Sequence, residues 1–366
     1  ISAKILGAIT ERIGITPLVG YIFSGIFLGP VLGMVFVSDF INNFIMIGII
    51  VVLFLAGLEV RYDDIKQSTY RASFLAITGG VLSFIAGFLV GWYFFNSIII
   101  GIAIGTILVS SSNIMLFSIL QKTGHFDTHI GRFIVAITIA DDVVGIVFLS
   151  MFNFMVKHGA VDPFDLMKIF FLSVGFYLFI LTFGSKIFSR MIKRLSLFRD
   201  EFVLLAIPLA IALFVSFVTE NIGLSLATGA FLAGMAIASS DLKDVIQTKT
   251  KIISEGFLEP VFYASIGTLL IIANVDYGII AIIFIVSVIA KLIGAGVLSR
   301  FFGFSRRECT LIGISMMPRG NENIVIAQII FALGVISIAL YSSIVFAIIA
   351  TVIISPILVK ICCRNT

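Results

Sequence analysis

The sequence predicts an all-α polytopic membrane protein, a single transmembrane domain over residues 1–366 with about thirteen membrane-crossing helices. Composition is the first reason. The chain is 60% hydrophobic and only 12% charged, half the roughly 25% charge typical of soluble domains. Its mean hydropathy is +1.20. The second reason is pattern: apolar runs recur along the chain, most of them near the roughly 20 residues that a bilayer-crossing helix needs. Third, short segments of alternating hydrophobicity, the mark of a membrane barrel, are missing from the sequence.

In order, the apolar segments run approximately 1–10, 17–35, 40–58, 72–95, 97–120, 130–155, 165–189, 202–219, 222–238, 252–272, 279–300, 308–332 and 337–360. Residue 1 is Ile, so the natural N-terminus is expected to be trimmed or to lie outside this sequence, and no signal peptide is visible. The connections are short. The longest polar stretch, 185–201, lies between segments seven and eight. Cys309, Cys362 and Cys363 have neither disulfide-framework nor metal spacing.

Lys and Arg predict the orientation. Setting aside Lys4, Lys291 and Arg319, nineteen fall after odd-numbered segments, counting the C-terminal end, and two after even-numbered ones. That bias places the N-terminus outside and the C-terminus in the cytoplasm. A faint repeat agrees with an odd helix count: G-x-F-L at Gly25-Ile26-Phe27-Leu28 in segment two returns at Gly229-Ala230-Phe231-Leu232 in segment nine. An offset of seven segments inverts the second copy, as in inverted-repeat transporters. The chain therefore divides into repeat one (about 1–155), a linker helix (about 165–189) and repeat two (about 202–360), a 6+1+6 arrangement.

The same offset pairs segment five with segment twelve, and both are interrupted by polar residues in mid-run. Segment five carries Ser110-Ser111-Ser112-Asn113, and segment twelve carries Pro318-Arg319-Gly320-Asn321-Glu322-Asn323. Pro and Gly break helices, and broken backbone is tolerated at membrane depth only where it is buried or lines a cavity. Paired breaks point to a transporter's binding site. The competing readings are serines bonded back to their own helix and, for segment twelve, a surface loop. Arg319 is placed to balance the negative ends of half-helices, with Asn113 serving the opposite ends.

Segment six contains Ala140-Asp141-Asp142-Val143 near its centre. One carboxylate there costs about 2.5–3.5 kcal/mol on insertion scales, so two adjacent ones mark an ion or proton site rather than packing. Lys291, about nine residues from the nearest polar loop, is the natural partner for the aspartate pair. With Lys291 on Asp141, the other carboxylate can hold a proton or a cation. Competition for that one group is then enough to produce exchange. The donors are carboxylates, hydroxyls, an amide and carbonyls, hard oxygens suited to hard cations. Other polar groups are read as ordinary. Glu59 caps segment three near Arg61, Glu255 and Glu259 open segment ten, and His125, His129 and His158 lie in loops.

Taken in order, these pieces resemble the cation:proton antiporter-2 family of monovalent cation/proton antiporters, the prokaryotic sodium/proton type. The pieces are Gly25 with Leu28-Gly29-Pro30, Phe54-Leu55-Ala56-Gly57-Leu58-Glu59, the serine break, Ala140-Asp141-Asp142, Gly229-Ala230-Phe231-Leu232-Ala233-Gly234, the region 260–267, Lys291, and Met317-Pro318-Arg319-Gly320. The resemblance implies two crossing broken helices, a core domain, a dimer domain and an elevator-like homodimer. It implies that Asp142 carries cation and proton, that Asp141 pairs with Lys291, and that Ser111 and Ser112 match a Thr-Ser step at the crossing. The Asp-Asp pair resembles the electrogenic branch. One departure stands out: the family has Glu after Pro-Arg-Gly, whereas here Asn321 comes first and Glu322 follows.

The expected activity is H+ exchange for Na+ or Li+, without enzymatic chemistry or a cofactor. Na+ is expected at Asp142 and Asp141, and Ser110, Asn113, Arg319, Asn321 and Glu322 build the crossing. Expected partners are the monovalent cation, membrane lipid and a second copy of the chain, with no nucleic acid. The expected location is the plasma or inner membrane of a prokaryote. A K+/H+ antiporter of the same family remains open. A Na+-coupled organic anion symporter ranks below it, since Arg319 is the one spare cation. A channel would show a pore loop or a ring of like charges.

Overall fold

A computed structural model describes residues 1–35, 38–60, 70–112, 120, 128–159, 163–195, 202–272 and 275–364. Every regular element among them is helical. They are α1 (Ser2–Arg12), α2 (Pro17–Ile26), α3 (Asp39–Glu59), α4 (Tyr70–Phe95), α5 (Ile98–Ile107), α6 (His129–His158), α7 (Pro163–Phe179), α8 (Ser185–Leu195), α9 (Val203–Asn221), α10 (Leu226–Ala238), α11 (Lys243–Ile253), α12 (Glu259–Leu269), α13 (Tyr277–Lys291), α14 (Arg306–Ser315), α15 (Asn321–Ala332) and α16 (Ile338–Arg364). Among the described residues, six stretches are long and apolar enough to cross a membrane: Tyr70–Phe95, His129–Lys157, Met167–Arg194, Val203–Asn221, Tyr277–Phe302 and Ile338–Val359. Shorter apolar helices supplement them, α5, α10 and α15 among them.

The chain forms two compact units. The first is built from Ile1–Met34, Ser68–Gly145 and Ile266–Thr366, the second from Val35–Gln67 and Ile146–Ser265. Helix α6 gives its first half to one and its second half to the other.

In the first unit, α4 and α5 form a tight antiparallel hairpin. Asn96 turns the chain at φ 48°, a left-handed conformation that Asn tolerates. Ser97 then caps α5 by accepting from the Ile100 amide. A side chain at Gly91 would lie 2.5 Å from the Gly101 Cα, so the two backbones meet as only small residues allow. Tyr70 at one end of α4, and Trp92 and Tyr93 at the other, are exposed. They stand roughly 35 Å apart at helical rise, the separation of the two aromatic belts of a bilayer.

In the second unit, the described buried contacts of α6 with α10 and the turn before it are neutral. Helix α10 is buried from Ala227 to Ala238. Ser150 of α6 lies 2.9 Å from Thr228 of α10, and Asn153 donates to the carbonyls of Gly223 and Leu224 just before α10.

The structure departs from the sequence-based boundaries at several points. The polar stretch from 185 is not a loop as far as it is described: α7, a π-turn at Ile180–Gly184 and α8 make one continuous helix. Its polar look hides an amphipathic pattern, with Phe188, Met191 and Ile192 on the side away from Lys186, Arg190 and Arg194. Segment ten likewise begins earlier, in α11, and passes through a π-turn at Ser254–Leu258 that contains Glu255. His129 and His158 are the end residues of α6 rather than loop residues, and His125 lies outside the described residues. Glu59 ends α3 as expected, but its described ion-pair partner is Lys251 at 3.7 Å; Arg61 is outside the described residues.

Candidate functional site

The predicted site residues that are described fall in the first unit, on α6, α13 and α15 and on the two breaks. Asp141 and Asp142 lie in the middle of α6, and both are buried. Their placement follows from the apolar run on either side, which makes one unbroken helix. Lys291 ends α13, also fully buried, and its stem passes Gly79 of α4 with Cδ 3.6 Å from where a side chain would begin. The Lys291 ammonium donates to both carboxylate oxygens of Asp141, at 2.6 and 2.8 Å. This is the partner expected from the sequence. Burial raises the desolvation penalty of each ion, and two-point contact at this distance offsets it.

Both breaks are present and both are buried. Helix α5 stops at Ile107, and Ser110, Ser111 and Ser112 continue as non-helical backbone. Helix α14 stops at Ser315, and Met317-Pro318-Arg319-Gly320 run without helical structure before α15 begins. Residues 316–320 are wholly buried, so the surface-loop reading of this stretch is wrong. The serines do not simply bond back to their own helix. Ser111 Oγ donates to the Met316 carbonyl at 2.8 Å, and the Ser112 amide donates to the Pro318 carbonyl at 2.8 Å. The two breaks thus satisfy one another's backbone, which removes the penalty for unwinding at membrane depth. Gly320 is required at this contact, since a side chain there would collide with the Ser112 hydroxyl.

Arg319 is fully buried and serves the end of α5. Its guanidinium donates to the Ser110 carbonyl, to the Val109 carbonyl at 3.5 Å, to Ser83 Oγ at 3.2 Å and to the Ser287 carbonyl at 3.3 Å. A cation at helix-terminal carbonyls answers the negative end of the dipole. The Arg319 amide donates to Thr351 Oγ1 of α16 at 3.0 Å, bracing the break from a further helix.

Asn323, which the sequence places in the second break without giving it a role, joins the two breaks. Its side-chain amide donates to the carbonyls of Ile107, at 2.8 Å, and Ser110, at 3.0 Å, and its Oδ1 accepts from the Gly320 amide at 3.0 Å. It therefore ties the end of α5 to the start of α15. The only signal for it was an Asn next to a helix break, one polar residue among several. Asn321 and Glu322 stand half-buried in the first turn of α15, where an acidic side chain suits the positive end of the helix dipole. Asn113 lies outside the described residues.

The aspartates and the breaks are neighbours. Gly145 is four residues beyond Asp141 and three beyond Asp142, hence on their face of α6. A side chain at Gly145 would meet the Ser110 Cβ at 2.9 Å. The acidic face of α6 therefore lies against the first break. That face carries the two carboxylates, and the break beside it carries hydroxyl and carbonyl oxygens. Such donors suit a small hard cation as transported cargo. Among the described residues, no group of three or more His, Cys, Asp or Glu side chains is placed to hold a metal ion.

A family model described as "Sodium/hydrogen exchanger, transmembrane" matches residues 1–364. The chain belongs to this exchanger family. It is similar to the Na(+)/H(+)-K(+) antiporter GerN of Bacillus cereus, 26% identical over 364 residues, 98% of this chain and 93% of the relative. It is equally similar to a Na(+)/H(+) antiporter of Enterococcus hirae, 26% identical over 360 residues, 96% of this chain and 93% of the relative. Among solved structures it matches the sodium proton antiporter MjNhaP1 from Methanocaldococcus jannaschii with TM-score 0.79. That match covers 99% of this chain and 95% of the other at 16% identity, and it establishes the exchanger fold. Members of the family are multi-pass proteins of the cell membrane, and the long apolar helices of this chain agree.

Proposed function

We propose that this exchanger is a secondary antiporter that moves H+ against Na+ or Li+ by alternating access, with Asp142 as the group for which proton and cation compete. The observation that carries the reading is the fully buried Asp141–Lys291 pair, immediately beside Asp142 and against two mutually bonded helix breaks. Lys291 neutralises Asp141, so one carboxylate remains as the carrier. A proton and a cation cannot both occupy it well. If the site changes sides only when occupied, exchange follows without a separate coupling device. Ser111 and Ser112 are proposed to complete the cation's oxygen shell, and Ser110, Asn113, Arg319, Asn321 and Glu322 to shape the crossing.

The finer reading completes the proposal: thirteen spans in a 6+1+6 inverted repeat, N-terminus outside, within a homodimer whose core moves as an elevator. The Asp-Asp pair supports the antiporter-2 branch and an electrogenic cycle with more protons than cations. A K+/H+ activity is the second reading, favoured by the printed name of the GerN relative, which includes K+. Oxygen donors alone do not separate Na+ from K+.

The test is transport in proteoliposomes containing a pH-sensitive dye. A proton gradient is imposed, Na+, Li+ or K+ is added in turn, and the series is repeated with valinomycin and K+ clamping the voltage. Dequenching by Na+ or Li+ that responds to the clamp is the expected result. Response to K+ instead selects the second reading. Voltage-independent exchange removes the electrogenic part, and no response to any alkali cation in folded protein removes the antiporter reading.

A further inference from the structure

The site above leaves the long helix made by α7, its π-turn and α8 without a role. Only 24% of the most apolar window of Met167–Arg194 is buried. Phe179, Phe183 and Ile187 are more than half exposed, and they follow at i, i+4 and i+8, forming an apolar ladder along one face. The Phe179 and Phe183 rings lie 5.4 Å apart and tilted by 30°. Beyond the ladder the same helix turns basic: Lys186, Arg190 and Arg194 are spaced by four residues, with Lys193 adjacent, and all four side chains are exposed. No acidic residue stands on α8. The opposite side is covered, with Ile192 buried. Lys193 pairs with Asp241 at 3.9 Å, between side chains 79% and 89% exposed, a surface contact of small energy.

We propose that this face binds an anionic phospholipid, its acyl chain along Phe179, Phe183 and Ile187 and its headgroup phosphate between Arg190, Arg194 and their neighbouring lysines. Apolar surface running directly into a cationic cluster matches the two parts of a lipid. Juxtamembrane Lys and Arg attract headgroups of net negative charge, and guanidinium engages phosphate through paired donors. A free phosphate would leave the aromatic ladder without a function. The inference rests on the membrane location of the family alone, not on the exchange reading, and its test requires no transport.

The full chain is relipidated with an equal mixture of phosphatidylglycerol and phosphatidylcholine, washed in detergent, and its retained lipid counted by native mass spectrometry. Wild type is expected to retain phosphatidylglycerol at least about threefold over phosphatidylcholine. In R190Q/R194Q the ratio falls towards one, R190K/R194K keeps most of it, and F183A lowers retention of both lipids. If the double variant does not fold, K193Q and R194Q are read singly, each lowering the ratio. Equal retention by wild type, or an unchanged ratio in every glutamine variant, overturns the proposal. So does thermal stabilisation by inorganic phosphate equal to that by phosphatidylglycerol. Loss of dimer mass with the ratio unchanged assigns the face to a second copy and also overturns it.

Discussion

The two halves of α6 bury polar side chains of different kinds. Besides the neutral Thr138, the first half buries Asp141 and Asp142, with Lys291 on Asp141 at 2.6 Å. The second half buries Ser150 and Asn153, which meet a hydroxyl and two carbonyls. Both halves lie in one apolar helix, so the surroundings ask the same of each. Neutral groups meet the demand at small gain: a hydrogen bond between membrane helices is worth about 0.6 kcal/mol on average. Charges meet it only with an opposite charge in close contact, and removing one partner costs about 3–5 kcal/mol. Polar residues that merely join helices can therefore be neutral. Carboxylates in the same helix call for another reason, which is the charge-carrying role proposed for Asp142.

The largest expected effect falls on the charged half. Asp142→Asn abolishes cation-driven proton movement in proteoliposomes while thermal unfolding stays near wild type. Exchange at normal rate in that variant would remove Asp142 from its role. Next is Lys291→Ala, which leaves Asp141 buried beside no ammonium. A stability loss on the order of 3–5 kcal/mol is expected by chemical denaturation, along with altered voltage and pH response. The neutral double variant Asp141→Asn/Lys291→Met is expected to regain most of the stability but not the wild-type voltage response. If Lys291→Ala left both untouched, the pair would be no more than a bystander.

Asn323→Ala sharpens the comparison from between the two classes. It is neutral, yet it satisfies two carbonyls at the break. Losing the donor to the Ile107 carbonyl, and one of the two donors to Ser110, should lower stability by about 1–3 kcal/mol and slow exchange, with apparent cation affinity less affected than rate. The smallest effect belongs to the neutral half. Ser150→Ala should cost about 0.6 kcal/mol or less and leave exchange and its pH profile unchanged. A transport defect there would break the contrast between the two halves.

The aspartates and Lys291 were legible in the sequence because a charge inside an apolar run is rare enough to need a reason, and opposite charges have few partners to choose from. The two breaks were legible through Pro318, Gly320 and the serine cluster. Asn323 was not, because its partners are main-chain carbonyls, which every residue carries. Arg319 was recognised as a counter-charge, but its contacts with the Ser83 and Thr351 hydroxyls and the Ser287 carbonyl were not, because Ser and Thr recur along many of the apolar segments and every residue carries a carbonyl. The helical course of 185–195 was misread because its four cations outweigh its apolar face in any average, and only periodicity separates an amphipathic helix from a polar loop.

By itself, then, the sequence determined a many-helix membrane protein, the place of its buried charges and the two points where its helices break. These depend on composition and local chain order. Tertiary structure decided how the breaks satisfy each other through Ser111, Ser112, Arg319 and Asn323, and that the acidic face of α6 lies against them. Contacts to backbone atoms and the approach of small residues leave no mark in residue type, so folding alone brings them together.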